Sequence, residues 1–377
     1  MIDLEKMFQD LIAMGGSDIH IKIGNKPIFR VNGDLFDYGD EIISFETMNK
    51  IVLLLTKSLD QDEFKSEKEA DFRFVIKGIG RFRVNVYMQR GTYAIAIRRV
   101  SHTISKIEDL KLPDIVKKIA LLSRGLVLIT GTAGSGKSTT MASIIEYINQ
   151  NRRANIITIE DPIEFLFKDK KSIIQQREVG SDTKDFKGSL RYLLRQDPDI
   201  VVIGEIRDQE TMATALRAAN TGHLVFSTLH TTDAKQTIDR ILSFFEGHQQ
   251  NEIRSLLAAT LEASISQRLI PTVEGESRIV ATEVMIKNDY VKDCILNSEK
   301  RSSIKDAIKK GSFYGMHGFD DSIFKLYSNG MISYEDALLN ATSPAEFEMR
   351  VKGVDDSSNS DYSLGDYDYN MTGRDSY

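Results

Sequence analysis

The spacing of hydrophobic and polar positions changes period near residue 111. Upstream the pattern alternates: from Gly80 to Met88 it places Phe82, Val84, Val86 and Met88 on one face of a strand, and Gly91-Thr92 turns the chain into a second strand over Tyr93 to Arg98. Lys26 to Gly33 reads as another short strand closed by Asn32-Gly33, a hairpin-type turn. Leu4 to Met14 and Phe45 to Leu59 carry apolar residues at helical spacing. The first hundred residues therefore predict a small α+β domain.

Downstream of a connector at 101–112, Leu112-Pro113 opens a helix that runs to about Ser123, with Pro113 at its favoured first position. Gly125 to Thr130 is a short continuous apolar run suited to a buried parallel strand. Asn155 to Ile159, Ile200 to Ile203 and His223 to Leu229 repeat that character, each separated by enough chain for a helical crossover. The pattern predicts an α/β domain over 113–352, a parallel sheet covered by helices. No repeat of solenoid period is present.

At 377 residues the chain has room for two domains and an appendage. Its 41% hydrophobic and 28% charged residues exclude a wholly disordered or fibrous chain. Cys294 alone supplies neither a disulfide framework nor a cysteine zinc cage, which fits a reducing compartment, the cytoplasm. No apolar run reaches membrane-spanning length, and Met1 to Gln9 carries Asp3 and Glu5 where a signal peptide needs positive charge. Gly353 to Tyr377 holds six Asp against one Arg, a charge of −5 that leaves only −1 of the net −6 for residues 1 to 352. This acidic tail, 353–377, is expected to be disordered. A near-neutral body argues against sequence-independent nucleic-acid binding, which needs a basic track.

Chemistry enters directly after the first apolar run. Gly131, Thr132, Ala133, Gly134, Ser135, Gly136, Lys137, Ser138 and Thr139 match G-x-x-x-x-G-K-[ST] between a strand and a helix. Glycines let backbone N–H groups turn inward around phosphate oxygens, and the helix start adds its positive dipole end. Lys137 is placed for the β- and γ-phosphates, Ser138 for Mg²⁺ and Thr139 for a further phosphate oxygen. Chance alone would give the pattern in roughly one chain of this length in a hundred.

Phosphoryl transfer also needs a carboxylate at a neighbouring strand end. Asp199 to Glu205 supplies Glu205, with Gly204 where an Asp commonly stands; Glu205 is the candidate to polarise attacking water, and a salt bridge to Arg207 is its competing role. Ile159 to Glu164 places three carboxylates at another strand end, where Glu160 and Glu164 are candidates to hold Mg²⁺ or its waters and a solvated loop is the alternative. Thr221 to His230 brings two of the six histidines to one strand. Thr228 and His230 lie at its far end, within reach of a γ-phosphate, whereas His223 at the near end fits a structural role.

These motifs together resemble the secretion ATPase superfamily of type IV pili and type II secretion, in particular its pilus retraction branch, the PilT/PilU group. The marks stand in order as GTAGSGKST at Gly131, IEDPIE at Ile159, DIVVIGEIRD at Asp199 and TGHLVFSTLH at Thr221. The similarity extends from about Gly16 through KPIFRVNG, IGRFRVNVYMQRG and SISQRLI to roughly Gly353. A single cysteine and a short N-terminal portion point to the retraction type. Principal retraction motors carry an Ala-Ile-Arg-x-Leu-Ile-Arg-like stretch where this chain has Tyr290 to Asn297, and Gly315 to Leu338 is closer to the accessory paralogue.

The resemblance implies a PAS-like N-terminal domain (1–100) followed by a RecA-like P-loop ATPase domain with a helical C-terminal part. It also implies ATP and Mg²⁺ as ligands and a homo-hexamer in which rotation between the two domains does mechanical work. N-domain arginines would reach the phosphates as the cleft closes, and Arg81, Arg83 and Arg98 match that idea. The implied partners are a principal retraction ATPase paralogue and the inner-membrane platform protein of the pilus. Nucleic acid would have no part, and the membrane would be met at the pilus base only through those partners. A nucleotide-gated scaffold that docks on another hexamer, or the principal motor itself, is the alternative reading.

Overall fold

The computed structural model describes residues 3–353 except 32, 58–63, 65, 101–102 and 276. The acidic tail from residue 354 and the start of the connector lie outside the described residues.

The N-terminal part is a six-stranded antiparallel sheet in the order β3-β2-β1-β6-β5-β4, where β1 is Asp18–Lys22, β2 Ile28–Val31, β3 Asp34–Asp37, β4 Glu69–Ile76, β5 Gly80–Gln89 and β6 Thr92–Val100. Helices α1 (Leu4–Ala13) and α2 (Phe45–Leu55) begin at Asp3 and Ser44, whose side chains accept from the N–H groups of Lys6 and Thr47, which satisfies two otherwise orphaned donors. Met7, Phe8 and Leu11 of α1 and Ile51 and Leu55 of α2 share one core with Phe82, Val84 and Val86 of β5. The Phe8 and Phe82 ring centroids are 4.3 Å apart. Because alternate residues face opposite ways, this burial turns Arg81 and Arg83 to the outer face, and Arg98 of β6 stands opposite Arg83 in the register.

After the connector, α3 is Ile115–Ala120, shorter than the 113 to 123 span expected. Val116 and Lys117 donate to the carbonyls of Pro113 and Asp114, so the first turn is the tight i→i+3 kind and Pro113 stands ahead of the α-helix. A seven-stranded sheet follows in the order β13-β12-β7-β11-β10-β8-β9. Its members are β7 (Gly125–Thr130), β8 (Asn155–Glu160), β9 (Ile173–Glu178), β10 (Ile200–Ile203), β11 (Leu224–Leu229), β12 (Leu261–Pro271) and β13 (Arg278–Ile286). All pairs are parallel except β12 with β13.

Expectation and structure agree on β7 and β10, which are buried at every position, the condition that makes a parallel strand an unbroken apolar run. β8 runs one residue further than expected and β11 starts one residue later, since His223 is held in a turn by bonds to the Ala218 carbonyl.

Helices α4 (Lys137–Asn151), α5 (Phe186–Leu193), α6 (Gln209–Asn220), α7 (Ala234–Ser243) and α8 (Gln250–Thr260) cover the sheet. Leu126 and Leu128 enter one apolar cluster and Val127 and Ile129 another, on opposite faces of β7. Helices α9 (Asp289–Leu296), α10 (Ile304–Lys310), α11 (Phe319–Ser328), α12 (Tyr334–Asn340) and α13 (Pro344–Val351) form the C-terminal part. Neighbouring residues of β12 serve both regions. Gln267 donates from its amide to the Thr140 hydroxyl on α4 at 2.7 Å, while Arg268 lies 3.9 Å over the Phe319 ring and donates to the Asn340 carbonyl at 2.6 Å. Among the described residues no helix is long and apolar enough to cross a membrane.

Phe226, fully buried in β11 at the centre of the sheet, should be among the costliest truncations. Phe226→Ala is expected to destabilise the fold by about 3–5 kcal/mol, read as a lower midpoint for the sheet's transition in urea unfolding.

Candidate active site

Parallel strands that share a direction bring their carboxyl ends to one edge, and ligands collect there. At that edge a cavity of about 270 Å³ is lined by Gly134, Lys137, Ser138, Glu160, Glu164, Glu205, Thr228 and His230. Met141, Ile145, Phe165, Phe167 and Phe186 add an apolar wall. The loop after β7, the acidic box after β8, the glutamate after β10 and the histidine after β11 thus meet in one space.

The loop itself is dictated by its glycines. Gly136 (φ +89°) caps α4 in the left-handed region, and Gly131 (φ +151°) lies where an added Cβ would collide with the Gln267 carbonyl and Ser135, so neither position accepts a side chain. Lys137 is 9% exposed, and its ammonium donates to the carbonyls of Gly131 and Thr132, each at 2.8 Å. Burial pulls its pKa below the ordinary lysine value; the Glu205 and Glu164 carboxylates oppose that shift. Ser138 lies in the cavity wall, and Thr139 borders an adjoining groove with Ser135 and Gly136.

Gly204 explains itself by contact. A Cβ there would lie 3.2 Å from the Ile159 carbonyl and 3.3 Å from Glu160 Cα, and Gly204 N–H donates to that carbonyl at 2.8 Å. A side chain at 204 would crowd the ends of β8 and β10, and the carboxylate stands one residue on, at Glu205. Thr228 donates its hydroxyl to the Gly204 carbonyl at 2.8 Å, which fixes β11 against the same turn. Arg207 pairs with Glu205 through two bonds, one of 3.1 Å from Nη2, and His230 Nε2 lies 3.6 Å from Glu205 Oε1. The Arg207 bond, aided by the charges of Arg207 and His230, holds the Glu205 carboxyl below the ordinary glutamate range against the opposing effect of burial.

The acidic box divides. Glu160 accepts from the Thr158 hydroxyl at 2.6 Å and the Gln176 amide at 3.0 Å, and desolvation pushes its pKa up. Glu164 is exposed at the rim of the same cavity and is the more available of the two. Among the described residues no cluster of three His, Cys, Asp or Glu could hold a metal by itself. Mg²⁺ takes one or two protein ligands and completes its shell with phosphate oxygens and water; Ser138 and Glu164, both in the cavity wall, would be those ligands, with Glu160 behind them.

The arginines are placed differently. Arg83 is paired with Asp71 of β4, and Arg98 donates to Asp18 of β1 at 2.8 Å. Both are held within the N-terminal sheet and neither lines the cavity. Arg81 instead crosses to the second sheet, 2.9 Å from Glu178 at the end of β9. The sequence reading overlooked Glu178, whose only sequence signal is an acid closing a polar edge strand.

A family model described as "Type II/IV secretion system protein" matches residues 1–313. The chain belongs to this family. Within it, the chain is 38% identical to the type IV pilus ATPase PilU of Pseudomonas aeruginosa over 351 residues, 93% of this chain and 92% of that one. It is 37% identical to the type IV pilus retraction ATPase PilT of the same organism, covering 92% of this chain and all of that one. The crystal structure of the pilus retraction motor PilT with bound ADP superposes with a TM-score of 0.85 at 41% identity, covering 92% of this chain and 99% of that chain. The family's fold, an N-terminal domain followed by a RecA-like ATPase domain, is the one seen here.

Because Arg207 is the largest cause of the lowered Glu205 pKa, its removal raises that pKa, and a base that works deprotonated then fails at a higher pH. Arg207→Ala is therefore expected to displace the acid limb of the kcat/KM profile for ATP hydrolysis to higher pH, the wild-type limb lying below it.

Proposed function

We propose that the protein is a hexameric ATPase that converts ATP hydrolysis into type IV pilus retraction. It acts as an accessory motor beside a principal retraction ATPase paralogue, against the platform protein at the cytoplasmic face of the inner membrane. The single observation that carries this reading is the shared cavity of Lys137, Ser138, Glu164, Glu205 and His230, in a chain similar over more than nine-tenths of its length to type IV pilus ATPases, one of them a retraction ATPase. In this reading residues 1–100 and 113–352 are the two moving lobes and 101–112 joins them.

The chemistry follows from the residues. In this reading the loop from Gly134 to Thr139 and the Lys137 ammonium, once it leaves the Gly131 and Thr132 carbonyls, bind the phosphate chain and meet the charge that grows on its oxygens during transfer. Glu205, kept ionised by Arg207, orients a water and takes its proton as the water oxygen bonds to the γ-phosphorus; the bond from that phosphorus to the β–γ bridging oxygen breaks and ADP leaves. Mg²⁺, when bound, neutralises β- and γ-oxygen charge. In this reading His230 beside Glu205 responds to the loss of the γ-phosphate. Arg83 and Arg98 reach the phosphates only if the N-terminal lobe moves and they leave Asp71 and Asp18.

Glu205→Gln should bind ATP with near wild-type affinity while losing about 10²- to 10⁴-fold in turnover; equal turnover in the two proteins would remove Glu205 from the role. In a strain lacking this chain, Lys137→Ala is expected not to restore retraction. Restored retraction would instead favour a scaffold whose own hydrolysis is dispensable.

A further inference from the structure

Glu178 plays no part in the phosphate chemistry above, yet it joins three pieces of the molecule. It is 5% exposed. Its Oε2 accepts from Arg81 Nη2 at 2.9 Å and from the backbone N–H of Ile163 at 3.2 Å. Its Oε1 lies 3.3 Å from Arg73 Nε and 3.5 Å from the Ser181 hydroxyl. Arg73 and Arg81 belong to β4 and β5 of the N-terminal sheet, whereas Ile163 immediately precedes Glu164 in the acidic box. The next residue, Val179, donates to the Glu160 carbonyl at 2.9 Å, so the end of β9 is tied to the end of β8 as well.

A shared carboxylate of this kind does not stretch gradually. The Arg81 and Glu178 side chains are 11% and 7% exposed, and charge-assisted bonds between buried groups are strong while made. Taking away both Arg81 and Arg73, as parting of the sheets would, leaves a charge buried without compensation. Parting the N-terminal sheet from β9 thus forces the carboxylate to find new partners, and the Ile163 N–H is one of the bonds at stake.

We propose that Glu178 is a positioning residue for hydrolysis: it clasps Arg81 of the N-terminal lobe and the Ile163 backbone together, so that docking of that lobe sets the place of Glu164 in the phosphate cavity. Arg81 then acts through Glu178, not on the phosphates themselves. The proposal rests on the reading of the cavity as an ATPase site.

The test is a mutant cycle on the full-length protein, with Mg-ATP turnover measured below each variant's unfolding midpoint. Glu178→Gln keeps an oxygen for the Ile163 N–H but loses the charge, and Arg81→Gln removes the nearer of its two arginines and leaves Arg73 in place. Each single change is expected to lower kcat on the order of 10-fold, through misplacement of a group at the reacting centre. KM should stay within about twofold, and the double variant should be no worse than the poorer single one, as for residues acting through one contact. Arg81→Lys, which keeps a cation for Glu178, should recover most of the loss.

The clasp is overturned if the two losses multiply, if Glu178→Gln turns over like wild type, or if Arg81→Gln raises KM with kcat unchanged, the sign of a direct phosphate contact. Should Glu178→Gln not fold, Arg81→Gln against Arg81→Lys decides on the same kcat and KM criteria. Glu205→Gln assayed alongside separates the two ideas. An inert Glu205→Gln with a fully active Glu178→Gln sinks the clasp alone, whereas a fully active Glu205→Gln sinks the site assignment, and the cycle still reads on the turnover that remains.

Discussion

A lysine ammonium can be buried only where negative charge or carbonyl oxygens face it, and this constraint organises the second half of the molecule. Lys137 sits at the mouth of α4 against two backbone carbonyls, in the field of Glu205 and Glu164. For both carboxylates to lie there, the ends of β7, β8 and β10 must share one edge, and the parallel sheet order supplies that edge. The absent side chain at Gly204 lets β8 and β10 close to contact distance. Deleting one methyl group at a strand end is thus as much part of the site as the charged residues.

Two glutamates of one chemistry are driven to different states by their surroundings, and a third lies beside them. Glu205 is held below the ordinary range by a guanidinium, Glu160 is pushed above it by desolvation, and Glu164 stands at the rim. Pairs of carboxyls whose environments separate their pKa values divide the work of a site. Here the member held low is paired with Arg207, and the desolvated one is braced by Thr158 and Gln176.

The parts legible in the sequence were those written in local pattern. β7 and β10 read as strands because every residue in them is buried, and the phosphate loop because backbone geometry demands glycine at fixed spacing. Edge strands were less visible. β9 carries Gln175, Gln176 and Arg177 on a half-exposed edge, and β13 reverses direction beside β12, so neither resembles a buried parallel strand. The arginines were the hardest, because a partner is a matter of register: Asp71 lies 12 residues from Arg83 and Asp18 lies 80 residues from Arg98. Composition showed cations on the outer face of a hairpin; only the assembled sheet shows which anions already hold them.

The two neighbouring residues of β12 carry a mechanical meaning. Adjacent side chains on a strand leave it in opposite directions, so Gln267 grips the first turn of α4 while Arg268, one peptide away, grips α11 and the end of α12. A strand is stiff along its length, and this one is bonded on both sides, to β7 and to β13. The two grips sit on consecutive residues of a strand paired along both edges, so α4 and the C-terminal helices take their places from the same few backbone atoms.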